Sequence, residues 1–311
     1  MSVIPQECRV ALLAGGTSGE RNISIASGKG AKAALEDAGF EVVWIDPAEE
    51  KDLKRLIDEK FDVAFLTLHG KMGEDGTIQG LLEVLGIPYT CSGVQASAIA
   101  IDKIKSKIMY MIGDIPTAPF EQLIYGQELD YEGLVEKVGI PCVVKAAREG
   151  SSLGVEIVED AAVLPEAIER VFAVDKLALI ESYIKGTEVT CAILGNSDPR
   201  ALPLIKIVPK GESYDFESKY APGGSEHICP APIEEDITKK VQEYAIVAHK
   251  VLGCRGVSRS DFIIDEQGIP WILETNTIPG MTPTSLLPDA AHVDGMSFPE
   301  LCIKLIEFAL E

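Results

Sequence analysis

Arg259-Ser260-Asp261-Phe262-Ile263-Ile264, the turn Asp265-Glu266-Gln267-Gly268, and then Ile269-Pro270-Trp271-Ile272-Leu273-Glu274-Thr275-Asn276, running on through Thr277-Ile278-Pro279-Gly280-Met281-Thr282 to Ser285, form the stretch on which the fold is read. Residues 257–264 and 269–273 are apolar runs on either side of a turn signal, so they read as a hairpin whose chemically loaded ends meet. Asp261, Glu274 and Asn276 then bring hard oxygens to one small region, a set suited to a hexacoordinate Mg²⁺ that also holds phosphate oxygens. Arg259 lies two residues before Asp261, hence on the same strand face, and sets a permanent cation beside them. The plainer reading is a solvated surface hairpin. Against it, these polar groups sit among Phe262, Ile263, Trp271, Ile272 and Leu273, where an unpaired carboxylate is costly.

Working outward, the whole chain has 311 residues, 46% apolar and 25% charged, which suits two or three soluble α/β domains. A net charge of −21 argues against nucleic acid as a partner and requires any nucleotide site to gather its lysines and arginines locally. No apolar run long enough to cross a membrane and no secretory leader is evident, so the expectation is a cytoplasmic protein without a membrane partner. Seven cysteines without Cys-x-x-Cys spacing, among them Cys142, Cys191 and Cys254 in apolar surroundings, fit buried reduced thiols. The four histidines are dispersed, which disfavours a histidine-held metal.

Upstream, a strand at 9–14 runs into Gly15-Gly16-Thr17-Ser18-Gly19-Glu20 and a helix at 23–38, an arrangement that brings backbone amides close to a ligand. Strands at 42–46 and 62–68 enclose a polar helix at 51–60, so the first hundred residues read βαβαβ, a right-handed open parallel sheet of the Rossmann-like kind. The third strand ends at His69-Gly70-Lys71-Met72-Gly73-Glu74-Asp75-Gly76. This loop and the Gly15 loop fall together at the carboxyl edge of the sheet, where open α/β sheets bind ligands. His69 alone is as readily a local hydrogen-bonding residue as a catalytic one.

A helix over 100–107 carries Asp102, Lys103, Lys105 and Lys107, lysines of the kind that usually decorate a solvated face, and a domain boundary is set near Asp102. A strand at 142–146 contains Lys145, which needs a counter-charge; phosphate is a natural one. The loop 148–155 after it, with two glycines and two serines, is suited to folding over phosphates but does not fit a P-loop. Further strands are read at 177–180, 189–194 and 202–208, and helices at 233–252 and 299–310. The aromatic, charged segment from 213 to about 230 reads as a lid.

Together these motifs resemble the D-alanine–D-alanine ligases of the ATP-grasp superfamily from about residue 9 to 295. The segments that carry the likeness are GGTSGERNISIASG at 15–28, HGKMGEDGTIQGLLE at 69–83, IDKIKSK at 101–107, VVKAAREGSSLGV at 143–155, YDFESKY at 214–220, RSDF at 259–262 and LETNTIPGMTPTSLLP at 273–288. So many ordered motifs do not arise by convergence. The resemblance implies an ATP-grasp fold of three α/β domains: 1–101 with the first D-alanine subsite, a central lobe at 102–188, and a C-terminal lobe at 189–311 with the lid and metal site. It implies two D-alanines joined with ATP through a D-alanyl phosphate, for peptidoglycan precursors, in a homodimer.

The same resemblance assigns roles. Glu20 would hold the first ammonium, Arg259 and the amide of Gly280 the oxyanion, and Ser151 and Tyr220 would link to Glu20 as the loops close. His69 would border the first subsite; Ser285 and Leu286 would receive the second carboxylate. Lys103, Lys145 and Lys219 would neutralise the triphosphate, with Glu181, Tyr183, Ile184 and Glu188 around adenine and ribose. Asp261, Glu274 and Asn276 would hold two Mg²⁺ or Mn²⁺ ions. The chain departs from the family pattern at Cys91, where glycine is usual, at Ala146, where proline is common, and at Pro283. Lys219-Tyr220 favours a dipeptide product over D-alanyl-D-lactate. The rival readings are an ATP-grasp ligase with D-serine or D-lactate as acceptor, and a nucleotide-binding relative without catalysis.

Overall fold

The computed structural model describes residues 3–150, 154–209 and 225–311, and each count of elements refers to those residues. Ser151, Lys219, Tyr220 and most of the expected lid lie outside the described residues.

β1 (Arg9–Leu13), α1 (Arg21–Asp37), β2 (Glu41–Ile45), α2 (Glu50–Asp58) and β3 (Val63–Leu66) give the expected alternation, with the strands parallel in the order β2-β1-β3. Val10, Ala11, Leu12 and Leu13 are all buried, as a parallel strand covered on both faces must be. α3 (Thr77–Leu85) follows the His69 loop. Beyond it Tyr89 bridges to Ala64, and Cys91 takes a φ of +72°, the left-handed conformation that explains why glycine is usual there.

The single helix expected at 100–107 is two helices, α4 (Val94–Ile101) and α5 (Lys103–Ile112). Asp102 separates them: its extended backbone ends one, and its carboxylate accepts from the N–H groups of Ile104 and Lys105 to cap the other.

β4 (Phe120–Ile124), α6 (Tyr131–Val138), β5 (Cys142–Ala146), β6 (Val155–Val158), α7 (Leu164–Phe172) and β7 (Leu177–Ser182) build a second sheet, antiparallel, in the order β4-β7-β5-β6. Cys142, Val144, Ala146, Ala178 and Ile180 point to one side and pack with Leu164, Ile168 and Val171 of α7. The period-two alternation sends Lys145, Leu179 and Glu181 to the other side.

β8 (Gly186–Leu194), β9 (Arg200–Ala201), β10 (Ile205–Pro209), β11 (Ser225–Ile228), α8 (Glu235–Val251), β12 (Val257–Asp265) and β13 (Pro270–Asn276) form the third sheet, ordered β11-β10-β8-β12-β13 with β9 beside β8. Val241, Ala245 and Ala248 of α8 pack against Val189, Cys191, Phe262 and Ile272. α9 (Leu286–Val293), which sequence periodicity does not announce, and α10 (Phe298–Ala309) return to the first sheet. There Leu287, Ala291, Leu301 and Leu305 join the core of β1 and β3, so the two ends of the chain share one apolar cluster. Ser297 and Glu300 start α10 with a reciprocal capping box. All seven cysteines are free and all but Cys229 are buried. No helix among the described residues is long and apolar enough to cross a membrane.

Candidate active site

The hairpin forms in the expected place, and its register is what aims the polar groups. Arg259 pairs with Asn276 and Asp261 with Glu274, but Phe262 then pairs with Ile272, leaving Leu273 as the extra residue of a bulge. A regular ladder would put Ile272 on the face of Glu274. The bulge shifts the alternation by one, so Phe262 and Ile272 enter the core while Asp261 and Glu274 remain across from each other. Behind them Ser260 Oγ and Thr275 Oγ1 lie 2.8 Å apart, and Tyr110 of α5 donates to Thr275 Oγ1 at 2.8 Å. This buried hydroxyl chain fastens the hairpin to α5.

Arg259 grips Asp261 with two bonds, Nε to Oδ1 at 3.0 Å and Nη2 to Oδ2 at 2.9 Å, and Thr190 Oγ1 donates to Oδ1 at 2.5 Å. Lys103 Nζ stands 3.3 Å from Glu274 Oε2 and donates to the carbonyl of Glu149 at 2.7 Å. Asn276 Oδ1 accepts from the N–H of Ile278 at 2.8 Å, closing a turn with one of its two lone pairs. Among the described residues no three His, Cys, Asp or Glu side chains make a ready cation cage. Two carboxylates and an amide oxygen on adjacent strands still fit Mg²⁺ or Mn²⁺, because Mg²⁺ takes few protein ligands and completes its shell with water and phosphate oxygens.

At the other side of the site, the first glycine loop is pinned by Asp46, which accepts from Gly16 N at 3.0 Å and pairs with Arg21 Nη2 at 2.6 Å. That pair fixes the start of α1, whose N-cap is the buried Glu20. Gly70 and Gly150 close on its carboxylate: a Cβ at these positions would come within 2.8 and 3.1 Å of Glu20 Oε2. His69 is buried, hydrogen-bonded to the backbone of Ile278, with Nε2 lacking a partner among the described residues. Burial lowers its pKa, Glu20 opposes that, and Arg259 adds to it. Glu74 accepts from Gly70 N at 2.6 Å, yet burial and then the charge of Glu20 push its pKa up to about 8, with Arg259 and Glu274 also in range. Residues from the first loops and the late hairpin therefore act on one another's charge.

Lys145 and Glu181 project together from the second sheet and form an ion pair. The counter-charge of Lys145, for which the sequence suggested phosphate, is here Glu181, and a second lysine shares it: Lys107 Nζ lies 2.7 Å from Glu181 Oε2. Lys107, expected as a solvated helix residue, is fully buried, which corrects that reading: α5 turns this side inward because Ile104, one turn earlier, packs on Leu179. Burial would push Lys145 down, but Glu181, Glu274 and Glu188 together hold its pKa above the usual lysine value. Tyr183 and Ile184 lie in the short connection from β7 to β8, and Glu188 pairs in register with Ile263.

The loop 277–285 is stitched to α1 by Met281 N donating to Ser27 Oγ at 3.2 Å. Ser285 Oγ accepts from Thr282 N at 3.0 Å and lies 2.8 Å from Thr282 Oγ1, and a Cβ on Gly280 would come 2.8 Å from it. Leu286 packs its side chain into the first core, so what it offers a ligand is its N–H as the first residue of α9. The pairings made by Asp46, Arg21, Lys107 and Thr190 escaped the sequence reading: each partner lies more than 20 residues away along the chain, and no local spacing signals such a pair.

Comparison with known proteins agrees with this geometry. The family model described as D-ala D-ala ligase C-terminus matches residues 110–307, and that described as D-ala D-ala ligase N-terminus matches 47–92. The D-alanine–D-alanine ligase of Syntrophobacter fumaroxidans is 49% identical over 311 residues, covering 98% of this chain and 99% of its own, and that of Desulforamulus reducens is 48% identical, covering 97% and 99%. Among solved structures, D-alanine–D-alanine ligase from Bacillus anthracis superposes with a TM-score of 0.87 at 37% identity over 97% of each chain. A second solved structure, D-alanine–D-alanine ligase from Bacillus anthracis complexed with ATP, gives a TM-score of 0.86 at 35% identity, again over 97% of each chain. With its three sheets, its bulged hairpin and full-length similarity of this degree, the chain belongs to the D-alanine–D-alanine ligase family of ATP-grasp enzymes.

Proposed function

We propose that this protein is an ATP-dependent, ADP-forming ligase that joins two D-alanines into D-alanyl-D-alanine for peptidoglycan synthesis. The observation that carries the reading is the convergence of Glu20 and His69 from the first sheet with Arg259, Asp261 and Glu274 from the third. Family membership supplies the reaction. The reading divides the chain into a first-substrate domain at 1–101 and two lobes, 102–188 and 189–311, that hold the nucleotide between them.

In this mechanism a carboxylate oxygen of the first D-alanine attacks the γ-phosphorus, the bond to the β-phosphate oxygen breaks, and ADP and D-alanyl phosphate form. Glu20 holds the substrate ammonium in a charge-assisted bond, with His69 beside it. Lys103, Lys145 and Lys219 bind the triphosphate, while Glu181, Tyr183, Ile184 and Glu188 line the base and sugar. Asp261, Glu274 and Asn276 would hold Mg²⁺ or Mn²⁺, which would neutralise charge on the phosphates. The amine of the second D-alanine, its carboxylate received at Ser285 and the Leu286 N–H, then attacks the acyl carbon. Arg259 and the Gly280 N–H stabilise the resulting oxyanion, phosphate leaves, and the amine proton passes toward the Glu20, Ser151 and Tyr220 set. Closure of the 213–230 segment keeps water from the acyl phosphate. The enzyme works as a homodimer in the cytoplasm, where ATP is made available.

A coupled assay for ADP with D-alanine, L-alanine or no amino acid tests the reaction. Turnover with D-alanine alone is expected, and turnover that ignores the amino acid would refute it. D-serine and D-lactate offered in competition with D-alanine at neutral pH test the acceptor, for which Lys219-Tyr220 favours the dipeptide.

A further inference from the structure

The carboxylate of Glu181 is held by two lysines that are not equivalent. Lys107 has a side chain only 1% exposed and gives Glu181 Oε2 a 2.7 Å contact. Its ammonium also donates to Thr117 Oγ1 at 2.6 Å, and Thr117 in turn donates to the carbonyl of Ile272 at 3.2 Å, with the Phe120 ring centroid 5.2 Å away. It is locked between α5, the segment before β4 and β13. Lys145, on the Oε1 side, is 15% exposed and lies under the pull of Glu274 and Glu188 as well as Glu181. It stands at the cleft and has other anionic company to move toward.

Burial by itself would raise Glu181, but Lys145 and Lys107 outweigh it and hold the carboxyl at about 2. If Lys145 turned to a phosphate and no second cation were present, a buried carboxylate would be left unpaired, which is strongly unfavourable. Burial and the charge of Lys145 lower the pKa of Lys107 and Glu181 opposes them, so as Lys145 moves off, Lys107 keeps its proton more firmly and prevents this without leaving its place. An ionised carboxylate only accepts hydrogen bonds, so the oxygen that Lys145 releases is matched to a donor such as the 6-amino group of a purine and mismatched to a 6-keto oxygen.

We propose that Lys107 is the positioning residue of the nucleobase pocket: it holds Glu181 by the inner oxygen while Lys145 passes from the outer oxygen to phosphate, so that base selection and polyphosphate binding reinforce each other. This rests on the ligase reading, in which Lys145 and Glu181 both face the nucleotide, and adds a residue and a coupling to it.

The test is calorimetric binding of ADP and IDP to the full chain with Mg²⁺ and no amino acid. Wild-type protein is expected to prefer ADP by roughly 10- to 100-fold, the worth of one charge-assisted bond. K107M should lose about tenfold or more in ADP affinity and bring the ADP:IDP ratio to within about threefold of unity, while K107R restores most of the ratio. A folded K107M that keeps the wild-type ratio overturns the proposal. Should K107M not fold, wild-type protein carries the test alone: the preference for ATP over ITP should exceed that for AMP over IMP by about tenfold, and equal preferences overturn the coupling. Wild-type protein that binds no ADP would count against the ligase reading itself, an outcome distinct from either.

Discussion

Glu74 offers a sharp prediction, because its proton is held by the same pocket that is proposed to receive the first substrate. Its carboxyl is raised from an ordinary 4.5 to about 8 by burial and by Glu20. Between those values the folded chain keeps a proton that the unfolded chain has released, so stability falls as pH rises through that window. At about 1.4 kcal/mol for each pH unit the full penalty is on the order of 5 kcal/mol by pH 8. Water entry reduces it, and about 2 kcal/mol is a conservative floor. Glu74→Gln cannot ionise, yet its amide oxygen can accept the same bond from Gly70 N. Thermal unfolding of both proteins without nucleotide, from pH 4.5 to 8.5 at fixed ionic strength, should give a stability gap that is near its baseline at the acid end. It should widen in favour of the variant toward pH 8, by roughly 3 °C or more. Saturating D-alanine should narrow the gap at pH 8, since an ammonium beside Glu20 relieves the repulsion on Glu74. Parallel curves for the two proteins across the whole range would refute the reasoning.

Glu274→Gln keeps size and hydrogen bonding but halves the carboxylate charge of the Asp261–Glu274 pair; D-alanine-dependent phosphate release is expected to fall by about a thousandfold or more, with a melting temperature within a few degrees of wild type. Arg259→Lys cannot reproduce the two-pronged hold on Asp261, so kcat should drop by about 10²- to 10³-fold with a much smaller change in KM for ATP; an equal rise in KM would argue for ground-state binding instead. Tyr110→Phe removes the buried hydroxyl that donates to Thr275 and should cost about 1–2 kcal/mol in denaturant unfolding, with little loss of ADP affinity.

What the sequence disclosed, and what it withheld, follows from the range over which each feature is encoded. The hairpin at 257–276 was legible because two apolar runs and the turn Asp265-Glu266-Gln267-Gly268 between them are local, and its charged ends had to meet once the turn formed. The parallel pairing of the first sheet was legible because strands and helices alternate there in the sequence. The bulge at Leu273 was not: an apolar run shows no missing partner, and only the register of β12 against β13 reveals that the alternation slips between Asp261 and Phe262. Cys91 is an intermediate case. Its departure from glycine was visible in the sequence, but the reason for the usual glycine appears only in a φ of +72°.

α5 shows where local reading fails and why. Lys103, Lys105 and Lys107 lie within five residues and look alike as a string, yet they have three environments. Lys105 is exposed, Lys103 pairs with Glu274 from the third sheet, and Lys107 pairs with Glu181 from the second. Lys103 and Lys107 are one turn apart and so share a helix face, which explains how a single helix can reach two sheets; the period is in the sequence, the partners are not. Helical spacing alone permits that face to be solvated. What decides it is Ile104 packing on Leu179 and Asp102 capping the first turn, which together rotate the charged stripe inward. Once it is inward, burying a lysine without a carboxylate is untenable, so the fold must supply Glu181 and Glu274 where the helix delivers the charge. Paired charges thereby stand between the second and third sheets, Lys103 with Glu274 and Lys107 and Lys145 with Glu181, and under the proposed function a polyphosphate with its cation would exchange into those pairs without leaving a buried charge unmatched.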